Sequence, residues 1–185
     1  MVWHLPNIMT FSRLAMLPVF VVAFYLPFGW ARPVACFVFA AAALTDWADG
    51  FFARRMGLDS RFGAFIDPVA DKLIVATALV LIVQTDARWF VALAAAVIIG
   101  RELTISALRE WLSETGMRAK VKVSRLGKTK TAFQMIGLSF LIYQQDLWSL
   151  PIYDIGLLLI VIAAGLTLWS MFDYWRAAWP LLTSE

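Results

Sequence analysis

Residues 46–71 read DWADGFFARRMGLDSRFGAFIDPVAD and lie between two long apolar runs. Two pairs of aspartates mark this segment. Asp46 and Asp49 are three residues apart, and Asp67 and Asp71 are four residues apart. Residues at these spacings share one face of a helix. Because the first pair ends one hydrophobic segment and the second pair begins the next, we predict two consecutive helices whose carboxylates meet near a short loop.

Four carboxylates in one small volume repel each other strongly. At a separation of about 5 Å and an effective dielectric constant of about 20, each pair of like charges costs about 3 kcal/mol. Hard divalent cations such as Mg²⁺ or Mn²⁺ bind carboxylate oxygens and tolerate bridging ligands. The segment therefore predicts a site for two divalent cations, with four ligands: Asp46, Asp49, Asp67 and Asp71.

Glycines and an arginine beside the aspartates suit a phosphate anhydride. Gly50 and Gly63 have no side chain and allow the backbone to approach a ligand closely, and Arg54 offers a planar fork to phosphate oxygens. These residues suggest a nucleotide diphosphate bound on the two cations. The alternative is a set of ion-paired helix ends, in which nearby basic residues neutralise the carboxylates. That alternative leaves the glycines unexplained.

The composition is typical of an integral membrane protein. Of the 185 residues, 62% are hydrophobic, and the mean hydropathy is +0.76, which lies outside the range of soluble domains. A membrane span needs about 20 apolar residues. We predict a single all-α membrane domain, residues 1–185, with a short N-terminal interfacial segment. Six transmembrane helices are expected near residues 8–28, 33–53, 66–85, 88–109, 130–146 and 152–174, with Pro68 in the first turn of the third helix.

The distribution of charge predicts the orientation. If both termini lie in the cytoplasm, only Arg32 and Arg88 of the sixteen Lys and Arg residues fall in outer loops. Positive residues concentrate on the cytoplasmic side of membrane proteins. We therefore expect a multi-pass membrane protein whose aspartates face the cytoplasm. The net charge of +3 is modest, and no nucleic-acid partner is expected.

Basic residues in the second half of the chain are candidates for binding a second anion. Arg101 and Arg109 lie about 80° apart around the predicted fourth helix, and Lys128 lies at the beginning of the fifth. An ionisable side chain within a membrane indicates a functional site by default. Two alternatives stay open: Arg101 forms a structural ion pair with the neighbouring Glu102, and Arg13 in the first helix either lines the site or snorkels towards the lipid headgroups.

Residues 46–71 also resemble a known signature. The CDP-alcohol phosphatidyltransferases carry the pattern D-x2-D-G-x2-A-R-x8-G-x3-D-x3-D, and this sequence matches it at every fixed position. The resemblance implies that the four aspartates bind metal and that Asp71 is the general base of a phosphatidyl transfer. It also implies that the CDP-diacylglycerol site is formed by Asp49, Gly50, Ala53, Arg54 and Gly63.

The resemblance extends to the segments PNIMTFSRL, IIGRELTISALREW and SRLGKTKTAFQM. These are similar to a bacterial branch of the family that transfers a phosphatidyl group from CDP-diacylglycerol to sn-glycerol 3-phosphate and releases CMP, in anionic phospholipid biosynthesis. The resemblance implies contact with membrane lipid and a homodimer. Because the acceptor is an anion, its phosphate is expected to bind Arg101, Arg109 and Lys128.

Two other functions stay open at this point. The first is a related enzyme that uses another phosphorylated alcohol, such as inositol phosphate, as acceptor. The second is a cation transporter that uses its membrane carboxylates. Two features argue against transport. The carboxylates lie at one end of the predicted spans, whereas transporter sites lie near the midplane of the membrane. Arg54 lies beside the carboxylates in the sequence and would repel cations.

Overall fold

The computed structural model describes residues 5–56, 61–114, 126–147 and 149–182, and it describes side chains for residues 11–45, 66, 69–114, 130–147, 149–176 and 179. Over these residues the chain forms six α-helices, which confirms the prediction of an all-α protein. They are α1 (Leu5–Tyr25), α2 (Ala31–Met56), α3 (Arg61–Thr85), α4 (Trp89–Glu114), α5 (Leu126–Tyr143) and α6 (Ile152–Leu182). Each predicted span falls largely within one of these helices. Since α1 begins at Leu5, the interfacial segment before it stays a prediction.

The lengths and surfaces of the helices favour a membrane protein. Within the described residues, α4 and the Ile152–Arg176 part of α6 are long and apolar enough to cross a bilayer. Phe11–Tyr25 of α1 and Ala31–Thr45 of α2 are shorter apolar segments. Large apolar side chains such as Phe37 and Phe172 are well exposed, as expected of a surface that faces lipid. That all six helices cross the membrane stays a prediction.

Helix α3 begins earlier than the apolar pattern predicted. Because it begins at Arg61, Pro68 lies within the helix, and the prediction of a first-turn position is wrong. The predicted boundary followed the start of the apolar residues. Helical hydrogen bonding does not require apolar residues, and here it continues into the polar flank. An interior proline has no N–H to donate to the carbonyl four residues earlier, so α3 lacks one helical hydrogen bond at this point.

All six helices contribute to one apolar core. Helices α5 and α6 make the most extensive contact, followed by α1 with α2, and α4 also packs against α6. The core includes Phe20, Phe39, Ile74, Ile98, Leu138 and Ile160, one from each helix in chain order. Interdigitated packing of this kind resists displacement of any one helix. It therefore fixes the described parts of the six helices relative to one another.

Two glycines allow α5 and α6 to cross closely. A Cβ atom added at Gly137 would lie 3.0 Å from Ile160 Cγ1 and 3.2 Å from the carbonyl oxygen of Gly156. A Cβ atom added at Gly156 would lie 2.9 Å from Phe140 Cβ. Small residues let membrane helices approach to this distance. The crossing therefore depends on the absence of side chains at both positions.

Asp86 links the connection between α3 and α4 to the beginning of α6. Its carboxylate accepts hydrogen bonds from Arg88 Nε at 2.8 Å, from Arg88 Nη2 at 2.6 Å and from the Tyr153 hydroxyl at 2.6 Å. The Arg88 guanidinium holds the pKa of Asp86 well below its usual range, although burial opposes this shift. The hydrogen bonds to Asp86 in turn raise the pKa of Arg88. Both groups are therefore charged at neutral pH.

Candidate active site

The two aspartate pairs lie at matching distances from the connection between α2 and α3. Asp46 lies ten residues before the end of α2, and Asp71 lies ten residues after the beginning of α3. At 1.5 Å per residue, both positions are about 15 Å along their helices from the connection. Asp49 and Asp67 are each about 10 Å from it. Since α2 and α3 also contact each other, the helix bounds are compatible with two facing pairs.

Most of the signature lies outside the described side chains. These predicted residues are Asp46, Asp49, Gly50, Ala53, Arg54, Gly63 and Asp67, and their roles stay predictions. Asp71 is described, and its side chain is partly buried on α3. Over the described residues no three potential ligands form a metal-binding group, but only one of the four predicted ligands is among them. The donor set itself, four carboxylates, suits hard divalent cations.

Arg101, Glu102 and Lys130 form an ion-paired group between α4 and α5, called here the Glu102 cluster. Glu102 Oε1 accepts hydrogen bonds from Arg101 Nη1 at 2.8 Å and from Lys130 Nζ at 3.2 Å. The side chains of Lys130 and Arg101 are 4% and 14% exposed, while that of Glu102 is 31% exposed. Two cations therefore share one carboxylate oxygen, and the cluster has one positive charge in excess.

Arg101 carries a further donor that is not used by any described residue. Arg101 Nε is buried and has no hydrogen-bond partner among the described residues. A buried polar group without a partner is costly unless an acceptor reaches it. The guanidinium of Arg101 therefore keeps one donor for an additional acceptor, while its Nη1 is used by Glu102.

The structure describes the side chains of two residues predicted to bind the acceptor phosphate, Arg101 and Arg109, both on α4. Arg101 lies in the Glu102 cluster, so the structural ion pair considered from sequence is present. Arg109 lies two turns further along α4 and is exposed, and the side chain of Lys128 lies outside the described residues. Arg13 is 1% exposed, so it points into the helix bundle and does not snorkel.

Lys130 is the residue that the sequence-based selection did not favour. It lies two positions after Lys128, and these two positions point about 200° apart on a helix. The sequence indicated Lys130 through its spacing from Gln134, because residues four apart share one face of a helix. In the structure both of these side chains are buried. A buried basic residue on this face of α5 indicates a polar site inside the bundle.

The chain matches the family model of the CDP-alcohol phosphatidyltransferases over residues 3–169. It therefore belongs to this family, and the resemblance seen in the signature is confirmed. Family membership makes it an enzyme of the CDP-alcohol phosphatidyltransferase class and argues against the transporter alternative.

Individual relatives are similar along almost the whole chain. The CDP-diacylglycerol–glycerol-3-phosphate 3-phosphatidyltransferase of Salmonella typhimurium is 49% identical over 178 residues, which cover 96% of each chain. The protein of the same name from Escherichia coli (strain K12) is 47% identical over the same length and coverage. The aligned length covers almost the whole chain, so the similarity is not confined to the signature segment.

Proposed function

We propose that this protein transfers the phosphatidyl group of CDP-diacylglycerol to sn-glycerol 3-phosphate, giving phosphatidylglycerol phosphate and CMP. The observation that carries the proposal is the identity of 47–49% over 96% of the chain to proteins named for this reaction. The complete signature in residues 46–71 supports it. Related enzymes with inositol phosphate as acceptor are the second candidate, because they would share the same donor site.

The proposed topology has six transmembrane helices. Both termini and the active site lie on the cytoplasmic side of a bacterial inner membrane. The apolar lengths of α4 and α6 support this arrangement. The charge pattern also supports it, because only Arg32 and Arg88 of the sixteen Lys and Arg residues fall in the loops assigned to the outer side. A site at helix ends suits a donor whose diphosphate lies at the membrane surface and whose acyl chains stay in the bilayer. A homodimer is part of the proposal.

The donor site is proposed to consist of the signature residues. Family membership supports the use of divalent metal, and we propose two ions, Mg²⁺ or Mn²⁺, held by the aspartate pairs of α2 and α3. When bound, such ions neutralise charge on the diphosphate and on the departing CMP. Gly50, Ala53 and Gly63 leave room for the nucleotide, and Arg54 binds its phosphate oxygens.

Asp71 is proposed to accept the proton of the glycerol hydroxyl as that oxygen attacks the phosphorus that carries the lipid. A new P–O bond to glycerol forms, and the P–O bond to CMP breaks. Asp71 lies on the α3 face that also carries Asp67, which places a base beside the reacting diphosphate. A carboxylate is a weak base, so most of the acceleration must come from holding hydroxyl and phosphorus in line.

The acceptor's phosphate is proposed to bind Arg101, Arg109 and Lys128. Lys130 joins this group, because it is buried beside the carboxylate that also binds Arg101. Charge-assisted hydrogen bonds to a phosphate are about twice as strong as neutral ones. Arg101 and Lys130 thus supply the strongest part of the proposed acceptor site.

The test is an acceptor panel with the purified protein in lipid. CMP release from CDP-diacylglycerol is measured with glycerol 3-phosphate, inositol phosphate and glycerol in turn, in the presence of Mg²⁺ or Mn²⁺. We expect CMP release only with glycerol 3-phosphate. The matched controls are Asp71→Asn, which should be inactive, and Asp154→Asn at an exposed position of α6, which should be active. Faster release with inositol phosphate would support the second candidate, and release with none of the acceptors would overturn both.

A further inference from the structure

Glu102 holds a position that an anionic substrate would be expected to occupy. Its Oε1 is within 2.8 Å of Arg101 and within 3.2 Å of Lys130, and these cations come from two different helices. Helices α4 and α5 both pack against α6. The ion pair between Glu102 and Lys130 connects α4 directly to α5. Two cations that converge on one oxygen form the arrangement that a phosphate oxygen also requires.

The burial of the three side chains shows which of them can move. Lys130 and Arg101 are 4% and 14% exposed, whereas Glu102 is 31% exposed. Two buried cations without an anion are costly, so some anion must stay beside them. Glu102 is the member with access to solvent, and it can rotate away when another anion takes its place.

A phosphate monoester satisfies the cluster better than the carboxylate does. It carries between about 1.5 and 2 negative charges at pH 7 and has three strong acceptor oxygens. It can therefore bind Arg101 and Lys130 through separate oxygens and reach Arg101 Nε, which has no partner among the described residues. An uncharged alcohol cannot compensate the two cations, and it would leave the pairs with Glu102 intact.

We propose that Glu102 competes with the acceptor's phosphate for Arg101 and Lys130. The inference rests on the proposed function, in which these two cations bind the acceptor. Glu102 neutralises part of the site while it is empty, and only an acceptor with a phosphate group displaces it.

Glu102→Gln tests the competition, because glutamine keeps the size of the side chain and removes its charge. Without the competing carboxylate, anions should bind more tightly. We expect the inhibition constant of inorganic phosphate, varied against glycerol 3-phosphate, to fall about fivefold, which corresponds to about 1 kcal/mol for a partly exposed ion pair. The KM for glycerol 3-phosphate should fall by a similar factor, and the KM for CDP-diacylglycerol should not change.

The control is Glu114→Gln, which removes an exposed carboxylate from the end of the same helix and should leave all three constants unchanged. Calorimetric titration of inorganic phosphate into the protein in lipid nanodiscs measures binding independently of turnover. If Glu102→Gln folds poorly, Glu102→Asp is titrated instead, because its shorter side chain weakens the contact with Lys130 and should also tighten phosphate binding.

Three possible results would count against the competition or against the proposed function. A rise in the KM for glycerol 3-phosphate together with weaker phosphate binding would show that Glu102 positions the cations, and it would overturn the competition. Unchanged phosphate binding in both Glu102 variants would also overturn it. If the wild-type protein releases no CMP with glycerol 3-phosphate, the proposed function fails, and the titration then shows separately whether Glu102 competes with phosphate.

Discussion

Replacing Gly156 with alanine tests whether the crossing of α5 and α6 requires glycine. The new Cβ atom would lie 2.9 Å from Phe140 Cβ and 3.1 Å from both the Gly137 carbonyl oxygen and Leu141 Cγ. Non-bonded carbon atoms pack best at about 3.5–4.0 Å. The first two neighbours are a Cβ atom and a backbone atom, which cannot rotate away. The two helices must therefore separate locally to accept the methyl group.

The cost follows from two opposing contributions. Overpacking a well-packed interior costs about 1–3 kcal/mol. The change from glycine to alanine returns about 0.4–1 kcal/mol, because the unfolded chain loses conformational freedom. We expect a net loss of about 1–2 kcal/mol in the free energy of unfolding, which is a factor of roughly 5–30 in the folding equilibrium.

The measurement is reversible unfolding of the purified protein in mixed micelles, monitored by tryptophan fluorescence. Gly165→Ala is the matched control on the same helix, because its added Cβ meets no described atom within 4 Å apart from its own local stretch of α6. This control should be neutral or slightly stabilising. Equal stability of the two variants would refute the requirement for glycine at the crossing. Because Lys130 lies two turns from Gly137 on α5, the Gly156 variant should also show a raised KM for glycerol 3-phosphate.

The remaining predictions concern charged residues. Asp71→Asn should abolish CMP release and largely spare binding of CDP-diacylglycerol, because the proton acceptor is lost and three carboxylate ligands remain; an equal loss of donor affinity would make Asp71 mainly a ligand. Asp46→Asn should raise the metal concentration needed for half-maximal activity, and a wild type that stays active in a chelator would contradict the two-ion site. Arg54→Ala should raise the KM for CDP-diacylglycerol more than the KM for glycerol 3-phosphate. Arg101→Ala should raise the KM for glycerol 3-phosphate by roughly tenfold or more, as expected for a lost charge-assisted hydrogen bond. Equal effects of either variant on both KM values would contradict separate sites. Asp86→Asn should lower the free energy of unfolding by about 1–2 kcal/mol at neutral pH, since its arginine partner is half exposed. Because the pKa of Asp86 is depressed in the folded state, this difference should persist above pH about 3.9 and disappear as the pH falls through the lower folded pKa; a difference independent of pH would argue against the ion pair.

The sequence by itself was sufficient for the helical content and the family, and it predicts the chemical character of the candidate site. Long apolar segments specify helices because every backbone group in a bilayer must be hydrogen-bonded within the segment. The spacing within each aspartate pair places its members on one helix face, whatever the rest of the fold. Such features depend on residues within one or two helical turns of each other, so local sequence is enough to predict them.

The tertiary structure decided which residues meet between helices. Lys130 lies beside Glu102, although these two residues are 28 positions apart in the sequence. Asp86 meets Tyr153 across 67 positions, and Gly156 of α6 lies at a close crossing with α5. These outcomes depend on the rotation and register of each helix against its neighbours. Rotation and register result from packing the whole core at once, and local periodicity does not contain them.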